Sequence, residues 1–300
     1  MKVLITGATG LIGSQIVSLC QQENIAVNYL TTSKEKLENQ DYYKGFYWNP
    51  EEGKIDESCF EGVTKIIHLV GASVAKRWTK KQKEIILSSR LATTQLLIDT
   101  LKGIEHNIEH VISASAIGIY PSDFQKLYHE DQHPIADNFL GEVVKKWEAA
   151  VDGFEQLGID VAKIRIGLVL SKNGGALEKI AKPVRYGVGA PLGSGEQWQS
   201  WIHIEDLASI FLFVAKNRLE GVYNGVAPNP VTNKELTVQI AKVLDKPLWL
   251  PNVPKFVLKT ALGEMATIVL GSQLVSNNKI DSQGFLFKFT HIKPALEDLL

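Results

Sequence analysis

Gly7, Gly10 and Gly13 recur at every third position directly after the apolar run Val3-Leu4-Ile5. Glycines placed in this way let a chain turn sharply, approach a pyrophosphate closely and seat the next helix against the strand. A helix beginning near Leu11 would aim its free amides and positive dipole end at the phosphates. The spacing is G-x-x-G-x-x-G rather than the usual G-x-G-x-x-G. Its place between an N-terminal strand and a helix makes it point to a dinucleotide rather than to a plain turn. Chemistry beside such a nucleotide calls for polar side chains at neighbouring strand ends. Ser113 and Ser115 close the run Val111 to Ala116. Their hydroxyls suit the orientation of a carbonyl or hydroxyl substrate, or simply strand-end hydrogen bonding. His68 lies inside an apolar strand and reads as a satisfied core histidine.

The second strand runs into Thr31-Thr32-Ser33-Lys34. An acidic residue there would bond a ribose 2′-hydroxyl and favour NAD. None is present, and two hydroxyls with a cation suit a 2′-phosphate, so NADP(H) is preferred to NAD. The same residues also make an ordinary polar loop with a surface lysine. Gly71, after Leu69-Val70, would let the backbone pass close to the nicotinamide-side ribose.

The elements that must position these residues alternate. Strand patterns at 2–6, 26–31, 64–70, 109–114 and 161–166 are interleaved with helical patterns at 11–23, 80–102 and 138–157. That order predicts βαβ units, hence an α/β fold with a doubly wound parallel sheet. Ligands of such sheets lie along the C-terminal strand edge. Gly and Pro cluster from 173 to 195, 221 to 230 and 251 to 254, with short helices expected at 176–186, 205–216, 233–244, 254–270 and 294–300. The division drawn is a nucleotide domain at 1–166 with about 205–226, and a smaller C-terminal α+β lobe at 167–204 and 227–300.

Bulk properties narrow the function classes. The 300 residues are 45% hydrophobic with a net charge of −1, so no broad basic field for nucleic acid exists. Cys20 and Cys59 show neither metal-ligand spacing nor a disulfide framework, and fit core thiols of a reducing compartment. The start reads as a strand rather than a secretory signal, and no 18-residue apolar run occurs. A cytoplasmic protein without membrane, nucleic-acid or metal partners is expected, with a small-molecule substrate; the chain is compatible with a homodimer.

Longer motifs carry a resemblance. Arg77-Trp78-Thr79, Ser89-Arg90, Asn138-Phe139-Leu140 with Trp147-Glu148, Gly174-Gly175-Ala176-Leu177, Pro191-Leu192-Gly193-Ser194-Gly195, Gln197-Trp198, Ser200-Trp201-Ile202-His203-Ile204-Glu205-Asp206 and Ala227-Pro228-Asn229-Pro230 span most of the chain. The series resembles the nucleotide-diphosphate-sugar-epimerase-like branch of the atypical or extended short-chain dehydrogenase/reductases. The resemblance implies a Rossmann-type domain, a small C-terminal lobe and NADP(H). It implies cofactor contacts at Gly7, Gly10, Leu11, Ile12, Thr31, Thr32, Leu69, Val70 and Arg90, and the candidate set is completed by Thr9, Gly13, Ser33, Lys34, Gly71, Ser113 and Leu168. Relatives often carry arginine where this chain has Thr32, so the 2′-phosphate contact would pass to Ser33 or Lys34. Arg90 has a plainer alternative in a helix-surface ion pair.

The resemblance also exposes a departure. Reductases and epimerases of this kind use a tyrosine with a lysine four residues later, which share one helix face. None of the eight tyrosines has such a lysine. Counted back from Glu148, the two positions fall at Leu140 and Val144, in an apolar stripe with Val143, Trp147, Val151 and Phe154. A proton donor would have to come from Ser115, Tyr120 or His203, where Tyr120 also suits loop packing and His203 loop fixing. Pocket walls are expected from the loop 187–195, Trp198, Trp201 and His203. Trp198 and Trp201, separated by two residues, face opposite sides of an extended segment, so one can wall a pocket while the other packs in the core. These readings leave two functions open: an NADP(H)-dependent oxidoreductase or epimerase-like enzyme of unknown substrate, and a non-catalytic NADP(H)-sensing regulator.

Overall fold

The protein is described by a computed structural model covering residues 1–132 and 134–300. Its centre is a parallel sheet built from β1 (Lys2–Thr6), β2 (Ala26–Thr31), β3 (Tyr43–Asn49), β4 (Lys65–His68), β5 (His110–Ala116), β6 (Asp160–Ile166) and β7 (Gly221–Gly225). The spatial order is β7-β6-β5-β4-β1-β2-β3, with two-residue antiparallel strands attached to β3 at its edge. The order reverses at β1, which pairs with β2 on one side and β4 on the other. This is the place where a doubly wound sheet opens a crevice for ligand. Val3, Leu4 and Ile5 are fully buried, and burial of each such side chain is worth about 1.5–3 kcal/mol.

Helices α1 (Leu11–Gln22), α2 (Lys80–Gly103), α3 (Phe139–Val151), α4 (Ala176–Arg185) and α5 (Ile204–Asn217) follow in order. α1 packs against α5, and α2 packs against α3. β7 returns to the sheet beside β6. A second buried cluster joins α4 to α6 (Asn233–Val243) and α10 (Ile292–Leu299) through Leu177, Val184, Leu236, Ile240 and Leu296. Between α6 and α10 lie α7 (Lys255–Leu262), α8 (Ala266–Leu270) and α9 (Asn278–Ser282). The fold is α/β, a Rossmann-type doubly wound parallel sheet with a smaller C-terminal lobe. Among the described residues, no helix is long and apolar enough to cross a membrane.

Several boundaries shift for physical reasons. The segment read as strand 64–70 leaves the sheet after His68, where the Leu69 amide is shared between the Thr6 carbonyl at 3.2 Å and Thr6 Oγ1 at 3.1 Å. The helix read as 138–157 runs α-helically only to Val151, then tightens into a 3₁₀ segment that ends at Gly158, φ 72°. The helix read as 254–270 breaks at Gly263, φ 60°. β3 was absent from the sequence pattern because its half-buried aromatic residues show no continuous apolar run. Cys20 and Cys59 are buried and unpaired by any disulfide; burial pushes the Cys20 thiol up to about 12.

Candidate functional site

The turn after β1 is built for close approach. Gly7 sits at φ 76°, a left-handed conformation that only glycine adopts freely. A Cβ on Gly13 would lie 2.2 Å from the Gly7 carbonyl oxygen, so α1 seats directly on the turn. Gly10 caps α1 without any side chain answering the first-turn amides. Those amides, with the helix dipole behind them, form an anion-binding end. Leu69 and Val70 wall the loop, within 3.4 and 3.5 Å of where a Gly7 Cβ would be. Beneath them the His68 ring bridges Thr6 Oγ1 at 2.8 Å and Thr94 Oγ1 at 3.1 Å. Burial lowers the His68 pKa to about 4, as fits a neutral core tether.

At the other end of the same edge, Thr31 is buried and its Oγ1 accepts from the Ser33 amide at 3.2 Å. Ser33 is half-buried, while Thr32 and Lys34 are exposed. The Lys34 ammonium sits 5.2 Å from the Tyr47 ring centroid. This leaves hydroxyls and a cation, without a carboxylate, at the end of β2.

A cavity of about 420 Å³ opens at the switch point. Ile12, Leu69 and Arg90 border it from the nucleotide edge, and Ser115 from the end of β5. Leu140, Val143, Val144 and Trp147 of α3 form one wall. Leu168, Trp198 and Gln199 face them, and Thr267, Ile268, Gly271 and Gln273 complete the lining. α3 is held in place by Asn138, whose Oδ1 caps the Gly141 amide at 3.0 Å. Leu140 and Val144, the positions expected for a tyrosine–lysine pair, are therefore inside this wall, and both are apolar. Lys145 and Lys146 are exposed, and Lys146 pairs with Glu142.

Arg90 is the cation of the cavity. Its Nη1 donates to the Ile86 carbonyl at 2.8 Å and the Ala72 carbonyl at 3.2 Å, and its guanidinium lies 4.9 Å over the Trp147 ring. Its Nε has no partner. Among the described residues no carboxylate pairs with it, so the helix-surface ion pair is not what the structure contains. Burial lowers its pKa to about 10, because a desolvated cation lacks its counter-charge. Such a group favours an anion or a strong acceptor.

Ser115 is buried, and its hydroxyl donates to Glu148 Oε1 at 2.5 Å. Glu148 is clamped by Arg165, whose Nε reaches Oε1 and Nη2 reaches Oε2, each at 2.9 Å. Sequence reading gave neither Glu148 nor Arg165 a role. Arg165, set between Ile164 and Ile166 in the strand Asp160–Ile166, is the signal that could have flagged the pair.

Four expected site residues lie elsewhere. Tyr120 is buried behind the cavity, stacked on Tyr128, with its hydroxyl donating to Asn224 Oδ1 and accepting from Arg165 Nη1, each at 2.9 Å. Trp201 is fully buried in the α4–α6–α10 cluster and donates to the Asn229 carbonyl. His203 caps α5, accepting from the Glu205 amide, and stacks on Phe289 at 3.8 Å. Ser113 is fully buried, its hydroxyl turned to the Ala114 carbonyl. The loop 187–195 also misses the cavity and lies along the segment before α7, with the Gly193 amide bonded to the Val253 carbonyl. Trp198, by contrast, borders the cavity and donates to the Phe124 carbonyl.

Comparison with known proteins then decides the kinship. Residues 3–225 match the NAD dependent epimerase/dehydratase family. The chain belongs to that family. Residues 253–299 match a domain of unknown function, DUF1731. An epimerase family protein of Staphylococcus haemolyticus is 37% identical, over 100% of this chain and 99% of its own length. The solved structure of human epimerase family protein SDR39U1 (isoform 2), determined with NADPH, superposes with a TM-score of 0.85 at 28% identity. It covers 100% of this chain and 99% of that one. A nucleoside-diphosphate sugar epimerase of Corynebacterium glutamicum gives a TM-score of 0.78 at 27% identity, covering 100% of this chain but 58% of that one. In this family member the nucleotide edge suits an NAD(P) group: Gly7 and Gly13 leave the room, the α1 amides are unanswered, and Arg90 is unpaired.

Proposed function

We propose that this protein is an NADP(H)-dependent oxidoreductase of a small molecule that works without the tyrosine–lysine pair. The observation that carries the reading is the shared cavity. Ile12 and Leu69 of the nucleotide edge, unpaired Arg90, Ser115 and Trp198 border one space. The human relative solved with NADPH supports the choice of dinucleotide, as do the hydroxyls and cation at 31–34. When bound, NADP(H) supplies or accepts a hydride. The α1 amides and glycine loop hold the pyrophosphate, and Thr31, Thr32, Ser33 and Lys34 receive the 2′-phosphate. Arg90 offers charge at the inner end, Ser115 orients the substrate oxygen, and the apolar face of α3 excludes water.

The test is a pair of titrations followed by turnover. NADPH is expected to bind more tightly than NADH, with Trp147 and Trp198 reporting by fluorescence. Oxidation of bound NADPH by a panel of carbonyl and enone compounds, lost in Ser115→Ala, supports catalysis. Tighter NADH binding would overturn the cofactor assignment. The apolar Leu140 and Val144 favour a second reading, an NADP(H)-sensing regulator. Absence of turnover together with a protein partner captured only in the presence of NADPH would select it.

A further inference from the structure

The polarity of Ser115 is set by its surroundings. A carboxylate only accepts hydrogen bonds and a guanidinium only donates them. Arg165 fills both Glu148 oxygens with donors, and the Ser115 hydroxyl spends its single proton on Oε1 at 2.5 Å. Toward the cavity, Ser115 therefore has acceptor capacity alone. An ether or ketone oxygen meets a second acceptor there, whereas a hydroxyl donates to it. Leu140, Val143 and Val144 of α3 make the lining beside it apolar.

We propose that the cavity takes a compact apolar alcohol whose hydroxyl donates to Ser115, with Glu148 as the positioning residue that fixes the serine proton and receives it. The proposal rests on reading the cavity as the substrate side of an NADP(H) site. In oxidation, the substrate O–H bond breaks and its proton passes to Ser115 Oγ, while Ser115 gives its own proton to Glu148. NADP⁺, when bound, would supply the acceptor for the carbon-bound hydrogen and its electron pair, so that formation of the ketone balances with NADPH and protonated Glu148. Glu148 also borders a smaller outer cavity of about 200 Å³ with Gln132 and Lys145, which gives the proton an exit on the far side of α3.

Binding of three matched probes tests the polarity without knowledge of the natural substrate. These are 4-tert-butylcyclohexanol, its methyl ether and 4-tert-butylcyclohexanone, titrated against the full-length protein with and without NADP⁺ and followed by tryptophan fluorescence. The alcohol should bind about 10-fold tighter than the ether or the ketone, the size of one satisfied buried hydrogen bond. Ser115→Ala should erase the preference. Glu148→Ala removes the acceptor that holds the serine proton, freeing it for the cavity, so the preference should move to the ketone. A Glu148 that only braces α3 would not produce that reversal. If Glu148→Ala fails to fold, Ser115→Ala still decides. Equal binding of the three probes, a ketone preference in the wild type, or no binding of any of them overturns the proposal. Failure of NADP⁺ to bind overturns the cofactor reading alone, since the probes still report on the dinucleotide-free protein.

Discussion

The two sides of the cavity differ in kind. The nucleotide edge has the parts a dinucleotide needs: a left-handed Gly7, a Gly13 with no room for a Cβ, unanswered α1 amides and an unpaired Arg90. The facing side of α3 presents hydrocarbon at Leu140, Val143 and Val144. Holding the nucleotide depends on backbone shape and fixed dipoles, whereas proton transfer depends on particular side chains. One can be kept while the other is rebuilt, and the buried polar groups nearest the cavity here are Ser115 and, bonded to it, Glu148.

The contrast can be broken at five places. Val144→Lys returns the missing cation to a position only 3% exposed and beside the cavity of Arg90. It should cost about 3 kcal/mol or more in unfolding free energy, because a buried charge is left without a partner. Denaturant melts would show this, and an unchanged midpoint would mean that the wall is wetter than its lining indicates. The His68 tether makes a comparable contribution that depends on pH. Its pKa is about 4 when folded and 6.5 when free, so the unfolded chain takes up the proton first as pH falls. The stability is fully present above about 6.5 and is lost on descending toward 4, by about 3 kcal/mol. His68→Gln should reduce the slope of that part of the stability–pH curve and leave the share of His110, whose pKa burial also lowers to about 4.

Gly13→Ala drives a methyl group into the Gly7 carbonyl. A drop of about 1–3 kcal/mol in stability should come with roughly 100-fold weaker NADPH binding, about 2.7 kcal/mol at tenfold per 1.4 kcal/mol. Calorimetric titration would measure it. Arg90→Met should separate affinity from stability. NADPH binding weakens about 10-fold for loss of a charge-assisted contact, while the unliganded protein melts only slightly lower, because removing a cation without a carboxylate offsets the lost bonds to the Ile86 and Ala72 carbonyls and the stack on Trp147. A clear fall in melting temperature would place Arg90 in the scaffold instead. The smallest effect is expected at Lys34, which is exposed and screened. Lys34→Ala should weaken NADPH by a few-fold at low salt and leave NADH unchanged.

The parts that were legible from sequence are those with local causes. Strand β1, the glycine turn and α1 follow one another without interruption, so periodicity and glycine spacing place them. The apolar stripe through Leu140, Val144 and Trp147 repeats at helical spacing and identifies the wall. β3 escaped because its aromatic residues sit at the sheet edge in a half-buried pattern without an apolar run. The two tryptophans show where local reasoning stops. Their spacing puts them on opposite faces, but only the packing of α4, α6 and α10 decides that Trp201 is core and Trp198 borders the cavity.

By itself the sequence determined the α/β alternation, the glycine turn after β1 and the absence of any tyrosine with lysine four residues on, since each is written within a few helical turns or one strand. The tertiary structure alone decided that Ser115, 33 positions from Glu148, has its proton committed, and that Arg165, 17 positions beyond Glu148, holds the carboxylate that commits it. Hydrogen bonds across β5, α3 and β6 join residues that share no repeat and no spacing rule. Their partners are fixed only when the sheet and α3 pack together.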